Sequence, residues 1–224
     1  MGLALALGVA VGSDGSPGPG GDPSVKLWLR ADLGFSGAGW QDQSIGGGLV
    51  FSSANLPTLV ASGINGLPTL AGNGTNTSLY NTSYVMPAEE FCIYVVAEEA
   101  SQATTKCMLS DTGGSCALYA NSATTVAMFA SPDQLSVTYD ATAASVYRAV
   151  FNSGTSSFRA SPGNDNTAGA LPASWPGSGG LALFNFTNGS WFWDKWISEV
   201  LIRVGAPDTA TESYLSNRYG IVIP

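Results

Sequence analysis

The segment Phe91-Cys92-Ile93-Tyr94-Val95-Val96 constrains the fold more than any other part of the chain. Its apolar residues fall on both alternating faces, so as a strand it needs cover on both sides and belongs in the middle of a layered structure. Around it the sequence breaks into short apolar runs separated by Gly, Ser, Thr, Asn and Pro, which is the chemistry of tight turns. Only 11% of the residues are charged, and the composition argues for many short strands and against a helical bundle. A length of 224 residues suits one all-β sandwich, since such folds run past about 200 residues without dividing.

The runs can be placed in order. Ser24-Val25-Lys26-Leu27-Trp28-Leu29-Arg30 opens the domain, with Val25, Leu27 and Leu29 alternating with Lys26, Trp28 and Arg30 in a strand period. Short segments with prolines at their edges follow at 56–60 and 66–70. Cys107 to Ser110 and Cys116 to Ala120 predict a hairpin about Asp111-Thr112-Gly113-Gly114, and residues 126–130 and 135–139 supply further strands. Residues 146–151 and 157–160 flank another turn-rich connection, and 181–186 and 196–204 are late strands with Trp191-Phe192-Trp193 between them. One helix is expected at 209–218: Thr209 and Glu212 have the spacing of a capping box, and Gly220 supplies a left-handed stop.

Composition also removes several kinds of chemistry. The net charge is −8 with eight basic residues, which argues against a nucleic-acid partner, because phosphate binding depends on Lys and Arg. Histidine is absent, so a Ser-His-Asp triad, a His-ligated zinc and a histidine general base are excluded. Three cysteines cannot make an even disulfide framework and read as small buried apolar residues, although Cys107 and Cys116 could meet across their hairpin. The first twelve residues are apolar but lack a basic leader and are too short to span a bilayer, so neither a signal peptide nor a membrane anchor is expected. Residues 12–23 form a Gly/Pro-rich linker. A tail of this kind needs something to tie it down. Residues 1–23 are therefore read as an assembly arm, presenting Met1, Leu3, Leu5, Leu7, Val9 and Val11, ahead of a domain at 24–224.

Several of these segments together resemble the concanavalin A-like, laminin-G-like jelly-roll superfamily, in the form common in tailed-phage structural proteins and secreted bacterial proteins. The markers are Leu27-Trp28-Leu29-Arg30-Ala31-Asp32, Trp40-Gln41-Asp42-Gln43-Ser44 and Ile64-Asn65-Gly66-Leu67-Pro68, then Trp196-Ile197-Ser198-Glu199-Val200-Leu201-Ile202 leading to Tyr214-Leu215-Ser216-Asn217-Arg218-Tyr219-Gly220-Ile221. The resemblance implies a two-sheet antiparallel jelly-roll sandwich with one short C-terminal helix, used to bind carbohydrate or to build a virion surface. Folds of this kind host glycanases, lectins and structural modules alike, so function must come from the site.

Glycanases on this fold carry an E-x-D-x-x-E strand, and the sequence has none; no catalytic residues are expected. Glu89-Glu90 and Glu98-Glu99 bracket the Phe91 strand and read as solvated strand ends, and Glu199, between Ile197 and Leu201 on one strand face, as a structural position. Sugars stack on aromatic rings while nearby polar groups take their hydroxyls, which makes Trp175, Trp191, Trp193, Tyr80 and Tyr84 the candidate carbohydrate-binding residues. Sandwich cores consume aromatics as well, so a core role stands beside this one. Asn164-Asp165-Asn166 and Asp111-Thr112 could offer a few oxygens to Ca2+, but tight turns need the same residues, and no cofactor or metal is expected. Sequons at Asn73, Asn76, Asn81, Asn185 and Asn188 would matter only in a eukaryotic secretory setting.

The expectation is a non-enzymatic virion protein of a tailed phage, a head decoration, fibre or tail-associated protein. It would form a homo-oligomer, contact other virion proteins through its arm and hold cell-surface polysaccharide. The alternative is a bacterial extracellular, lectin-like module.

Overall fold

The computed structural model describes residues 19–99, 105–122, 124–139, 143–152, 155–163, 165–167, 175, 179–186 and 189–224. The first strands are short: β1 (Val25–Arg30), β2 (Phe35–Ser36), β3 (Gly39–Gln41), β4 (Val50–Phe51), β5 (Thr58–Val60), β6 (Thr69–Ala71) and β7 (Leu79–Asn81). Longer ones follow, namely β8 (Phe91–Glu98), β9 (Lys106–Asp111), β10 (Cys116–Ser122), β11 (Thr125–Ala130) and β12 (Asp133–Thr138). The chain closes with β13 (Ser145–Phe151), β14 (Ser157–Ala160), β15 (Leu181–Leu183), β16 (Trp196–Val204) and helix α1 (Thr209–Tyr219).

Two antiparallel sheets face each other. One runs β14-β13-β8-β16-β6-β5, with β1 paired to β16 beyond β6; the other runs β12-β11-β10-β9-β15-β7. Strands β2, β3 and β4 make a small third sheet, tied to β7 through Ser52 and Tyr80. The expected all-β, two-sheet jelly-roll sandwich with one C-terminal helix is the observed architecture.

The Phe91 segment is the central strand that its pattern demands. On one side, Phe91, Ile93, Val95 and Ala97 join the core between the sheets. On the other, Cys92, Tyr94 and Val96 join a second core with Val25, Trp28, Leu201, Leu215 and Tyr219. Complete burial of side chains of this size stabilises by about 1.5–3 kcal/mol each, so β8 anchors both layers. The second cover is α1, whose buried residues Thr211, Leu215, Arg218 and Tyr219 fall on one helical stripe. The helix also explains why Trp28 and Arg30, on the alternate side of β1, are buried.

Three details refine the reading from sequence. The cap of α1 is Asp208, not Thr209: its carboxylate accepts from the amides of Ala210 and Thr211, while Gly220 does end the helix at φ 63°. Glu212 is occupied instead by the guanidinium groups of Arg148 and Arg159, at 2.5 and 2.8 Å. Cys107 and Cys116 form no bridge. The register sets Cys107 opposite Tyr119, while the Cys116 amide donates to Asp111 beside the turn. Finally, within the segment read as the arm, the Pro19–Gly21 turn packs on the sandwich. A Cβ on Gly20 would fall 2.5 Å from the Trp28 ring. Met1, Leu3, Leu5, Leu7, Val9 and Val11 lie outside the described residues.

Glu199 ties the helix to the sheet through a bulge. The β16 register shifts between Ile197 and Glu199, so Ile197 and Val200 both point into the inter-sheet core. Glu199 and Leu201 are thereby turned towards α1, and Glu199 does not share a face with Ile197 as an unbroken strand would require. The buried carboxylate accepts from Trp28 Nε1 at 2.6 Å, Tyr219 Oη at 2.9 Å and Tyr214 Oη at 3.3 Å, with Arg218 Nε at 3.7 Å. Arg218 and Arg30 share Asp32, which keeps the cluster's charges paired. Burial raises the Glu199 pKa, against the opposing effect of the Trp28 and Tyr219 hydrogen bonds and the two arginines. Removing one partner from such a network leaves buried groups uncompensated, at a cost of about 3–5 kcal/mol. Glu199→Ala should therefore lose about that much in chemical denaturation, and Glu199→Gln, which keeps acceptor and shape, distinctly less.

Candidate functional site

Among the described residues no helix covers the outer face of the second sheet. Its register lines up Gln134, Phe129, Ala117, Ser110, Ala182 and Tyr80 across the six strands, with Ser136, Ala127, Tyr119 and Cys107 in a neighbouring row. Between these rows lie the inward residues Leu135, Met128, Leu118, Leu109, Leu183 and Leu79. The outward rows are therefore small, polar and aromatic, and Cys107, Ala117, Tyr119 and Ala127 form a satellite cluster with Phe129 and Phe186 packed on it.

Phe186 and Trp191 fold over this face, between Phe184 and Trp193, which are buried in the core. Phe184 and Trp191 both adopt left-handed backbone, at φ 67° and 55°, a conformation that costs a bulky residue about 1–3 kcal/mol and persists only where the surroundings enforce it. The enforcing contacts are visible. The Trp191 carbonyl accepts from the Cys107 amide at 2.7 Å, and the Phe184 amide donates to Met108 at 2.9 Å. Asn185 is buried and donates to Tyr80 Oη at 2.6 Å, and its carbonyl accepts from Ser110 Oγ at 3.2 Å. The Trp191 ring consequently stacks on Tyr119, at 6.0 Å and 26°, and on Phe186, at 4.7 Å and 35°, while remaining 43% exposed. Tyr119 in turn donates to Gln134 Oε1 at 2.8 Å.

Beside this shelf is a hollow of about 570 Å³ lined by Gly74, Thr105, Lys106, Trp191 and Phe192. One wall is a loop held by Asn73, whose side-chain oxygen accepts from the amides of Thr75, Asn76 and Thr77. Gly74 is required there: at φ 68°, a Cβ would lie 2.5 Å from Asp194. Lys106 Nζ stands 3.5 Å from both Asp194 Oδ2 and the Gly74 carbonyl.

Near Lys106 and Asp194 sits Glu99, which corrects the expectation of a solvated strand end. Glu98 does pair at the surface with Lys195, but Glu99 is fully buried and neither carboxyl oxygen has a hydrogen-bond partner among the described residues. Burial, followed by the neighbouring Asp194 charge, pushes its pKa up to about 8, with Lys106 opposing.

Of the five aromatic candidates, the structure places Trp191 and the half-buried Tyr80 on the outer face. The other three are corrected to core positions. Trp193 is fully buried with Nε1 donating to the Trp196 carbonyl, Tyr84 packs on Phe51, and Trp175 packs on Phe151. Trp191 and Trp193 would share a face in an extended strand; the left-handed turn at Trp191 separates them. Sequence reasoning missed Tyr119, Phe129, Phe186, Gln134 and Lys106. Their signal was the outward parity of Tyr119 and Phe129 in strands whose other parity is apolar. The Ca2+ candidates serve elsewhere. Asp111 accepts from the Gly113 and Cys116 amides, Asp165 pairs with Arg148, Asn166 donates to the Ser136 carbonyl, and Asn164 lies outside the described residues.

No family model and no curated protein sequence matches the chain. Solved structures do. A Trypanosoma rangeli sialidase in complex with sialic acid superposes at TM-score 0.61 with 12% identity, over 95% of this chain and 36% of that one. The likeness is to a β-sandwich of the jelly-roll type. Botulinum neurotoxin type C, whose cell entry depends on two ganglioside molecules, aligns at TM-score 0.58 and 11% identity over 88% of this chain and 51% of that one. The binding domain of botulinum neurotoxin DC, solved with rat synaptotagmin II, aligns at 0.58 and 10% over 88% and 52%. The chain thus spans about a third to a half of these proteins, and at such identities the likeness is one of fold.

The buried Glu99 makes a measurable prediction. Its folded pKa of about 8 lies above its ordinary value of 4.5, so the folded state holds the proton more tightly, and this group's contribution to stability is lost as pH rises from about 4.5 to about 8. Glu99→Gln should flatten that part of the pH–stability curve in thermal denaturation. It should match the parent near pH 4 and exceed it above pH 8.

Proposed function

We propose that this chain is a non-catalytic glycan-binding module that holds a sugar ring against Trp191. The observation that carries this reading is an exposed indole, clamped in strained backbone on an aromatic shelf and bordering a hollow. A pyranose presents an apolar face that stacks on such a ring, and its hydroxyls need polar groups at the rim. Gln134, Thr105 and Lys106 are placed to serve. Rigidity matters because a platform already ordered does not have to be ordered on binding. The structural neighbours that bind sialic acid or gangliosides are consistent with a carbohydrate partner.

A glycan array tests the reading directly. Trp191→Ala should keep its melting temperature within a few degrees and lose about tenfold in affinity, equivalent to about 1.4 kcal/mol. Unchanged binding would remove Trp191 from the site, and new reducing ends released from a bound polysaccharide would show catalysis.

We further propose that residues 1–18 anchor the module in a larger assembly, with a tailed-phage virion as the setting that the sequence resemblance suggests and a secreted bacterial protein as the alternative. The Pro19–Gly21 turn supports this, because its packing on Trp28 fixes the position of the chain from residue 19 onward. Deleting residues 1–18 should leave a folded domain that is no longer incorporated into particles; normal incorporation in a particle assay refutes the anchor.

A further inference from the structure

Eight basic residues serve the whole chain, and their placement bears on what the hollow accepts. Arg30, Arg148, Arg159, Arg203 and Arg218 are buried and locked in ion pairs of 3.0 Å or less. Lys195 is committed to Glu98 and lies over the Trp196 ring. Lys26 is exposed and donates to the Pro23 carbonyl. Lys106 alone lines the hollow beside an exposed aromatic ring. Among the described residues its contacts are to Asp194 and Gly74, both at 3.5 Å, beyond the usual range of a charge-assisted bond. An ammonium carries three donors, so at least one is unused among the described residues and can meet a ligand.

Resting on the glycan reading above, we infer that the hollow takes an acidic glycan, with a carboxylate or sulfate of one sugar meeting Lys106 while an adjoining ring stacks on Trp191. The chemistry around Lys106 supports this. Asp194 Oδ2 stands 3.5 Å from Lys106 Nζ, a separation that leaves the ammonium poorly satisfied. Glu99 retains its proton at neutral pH, because burial and Asp194 raise its pKa to about 8, so it adds little negative charge against an incoming anion. The lining itself contributes one cation and no acid among the described residues. A recess walled by Trp191 and Phe192 also screens that charge less than open solvent does. Elsewhere the net charge of −8 disfavours polyanions, so an anionic sugar would be selected at this locus and not over the surface at large.

The experiment measures retention of the full chain in affinity electrophoresis on matched probes: polygalacturonate against its methyl ester, dextran sulfate against dextran, and immobilised 3′-sialyllactose against lactose. The parent should prefer at least one charged member by tenfold or more, and that preference should shrink as salt is raised. Lys106→Gln should abolish the preference while leaving residual binding to the neutral partner, and Lys106→Arg should restore it. The pair of probes that responds tells carboxylate from sulfate. Equal retention of charged and neutral probes, or a preference untouched in Lys106→Gln, overturns the acidic-glycan inference while Trp191-dependent binding still stands. Absence of binding to every probe overturns both readings.

Discussion

The carboxylate of Glu199 is the interaction on which the rest of the architecture depends. It lies in the middle of a sheet whose two faces are both buried, where an isolated charge would be very costly. Its cost is offset because β1 delivers Trp28 Nε1 to it and α1 delivers Tyr214, Arg218 and Tyr219. One group therefore fixes the position of the opening strand, the closing strand and the C-terminal helix. The bulge before Glu199 makes this compatible with an apolar core, since it lets Ile197 and Val200 point inward while the carboxylate turns to the helix.

Fixing α1 over one sheet divides the labour between the two faces of the sandwich. The central strands of the sheet under the helix are buried on both sides, with Arg148 and Arg159 pinning Glu212 from the strands below. The opposite sheet has no helical cover among the described residues. A segment with two left-handed aromatic residues packs on it instead, and its hydrogen bonds to Met108 and Cys107 hold Trp191 at the surface. Strain of this kind is tolerated only on a rigid support, and the six-stranded sheet beneath it is that support.

Much of the scaffold was legible in the chain because it rests on short-range physics. Alternation placed β8 between two cores, turn chemistry placed the β9–β10 hairpin and the β13–β14 connection, and Gly220 marked the end of α1. The errors arose where a local pattern had more than one reading. Asp208 and Thr209 are both good caps, and the backbone chose Asp208, whose carboxylate reaches two amides. The Glu98-Glu99 pair looked like a solvated strand end, yet one member faces Lys195 and the other is enclosed. Trp175, Trp193 and Tyr84 sit in polar, Gly- and Asn-rich sequence and are nonetheless inside, because their rings fill the space between the sheets.

The sequence by itself determined the class of fold, the central strand, the terminal helix and the absence of histidine chemistry, since each follows from residue type and spacing alone. Only the tertiary structure decided which aromatic residues reach the surface. That choice depends on the sign of φ at Trp191, on a bulge at Ser198 and on the cross-strand register that sets Tyr119 beside Cys107. Each of these is imposed by residues distant in the chain, and a change of one residue in register or one reversal of backbone hand moves a side chain from one face to the other.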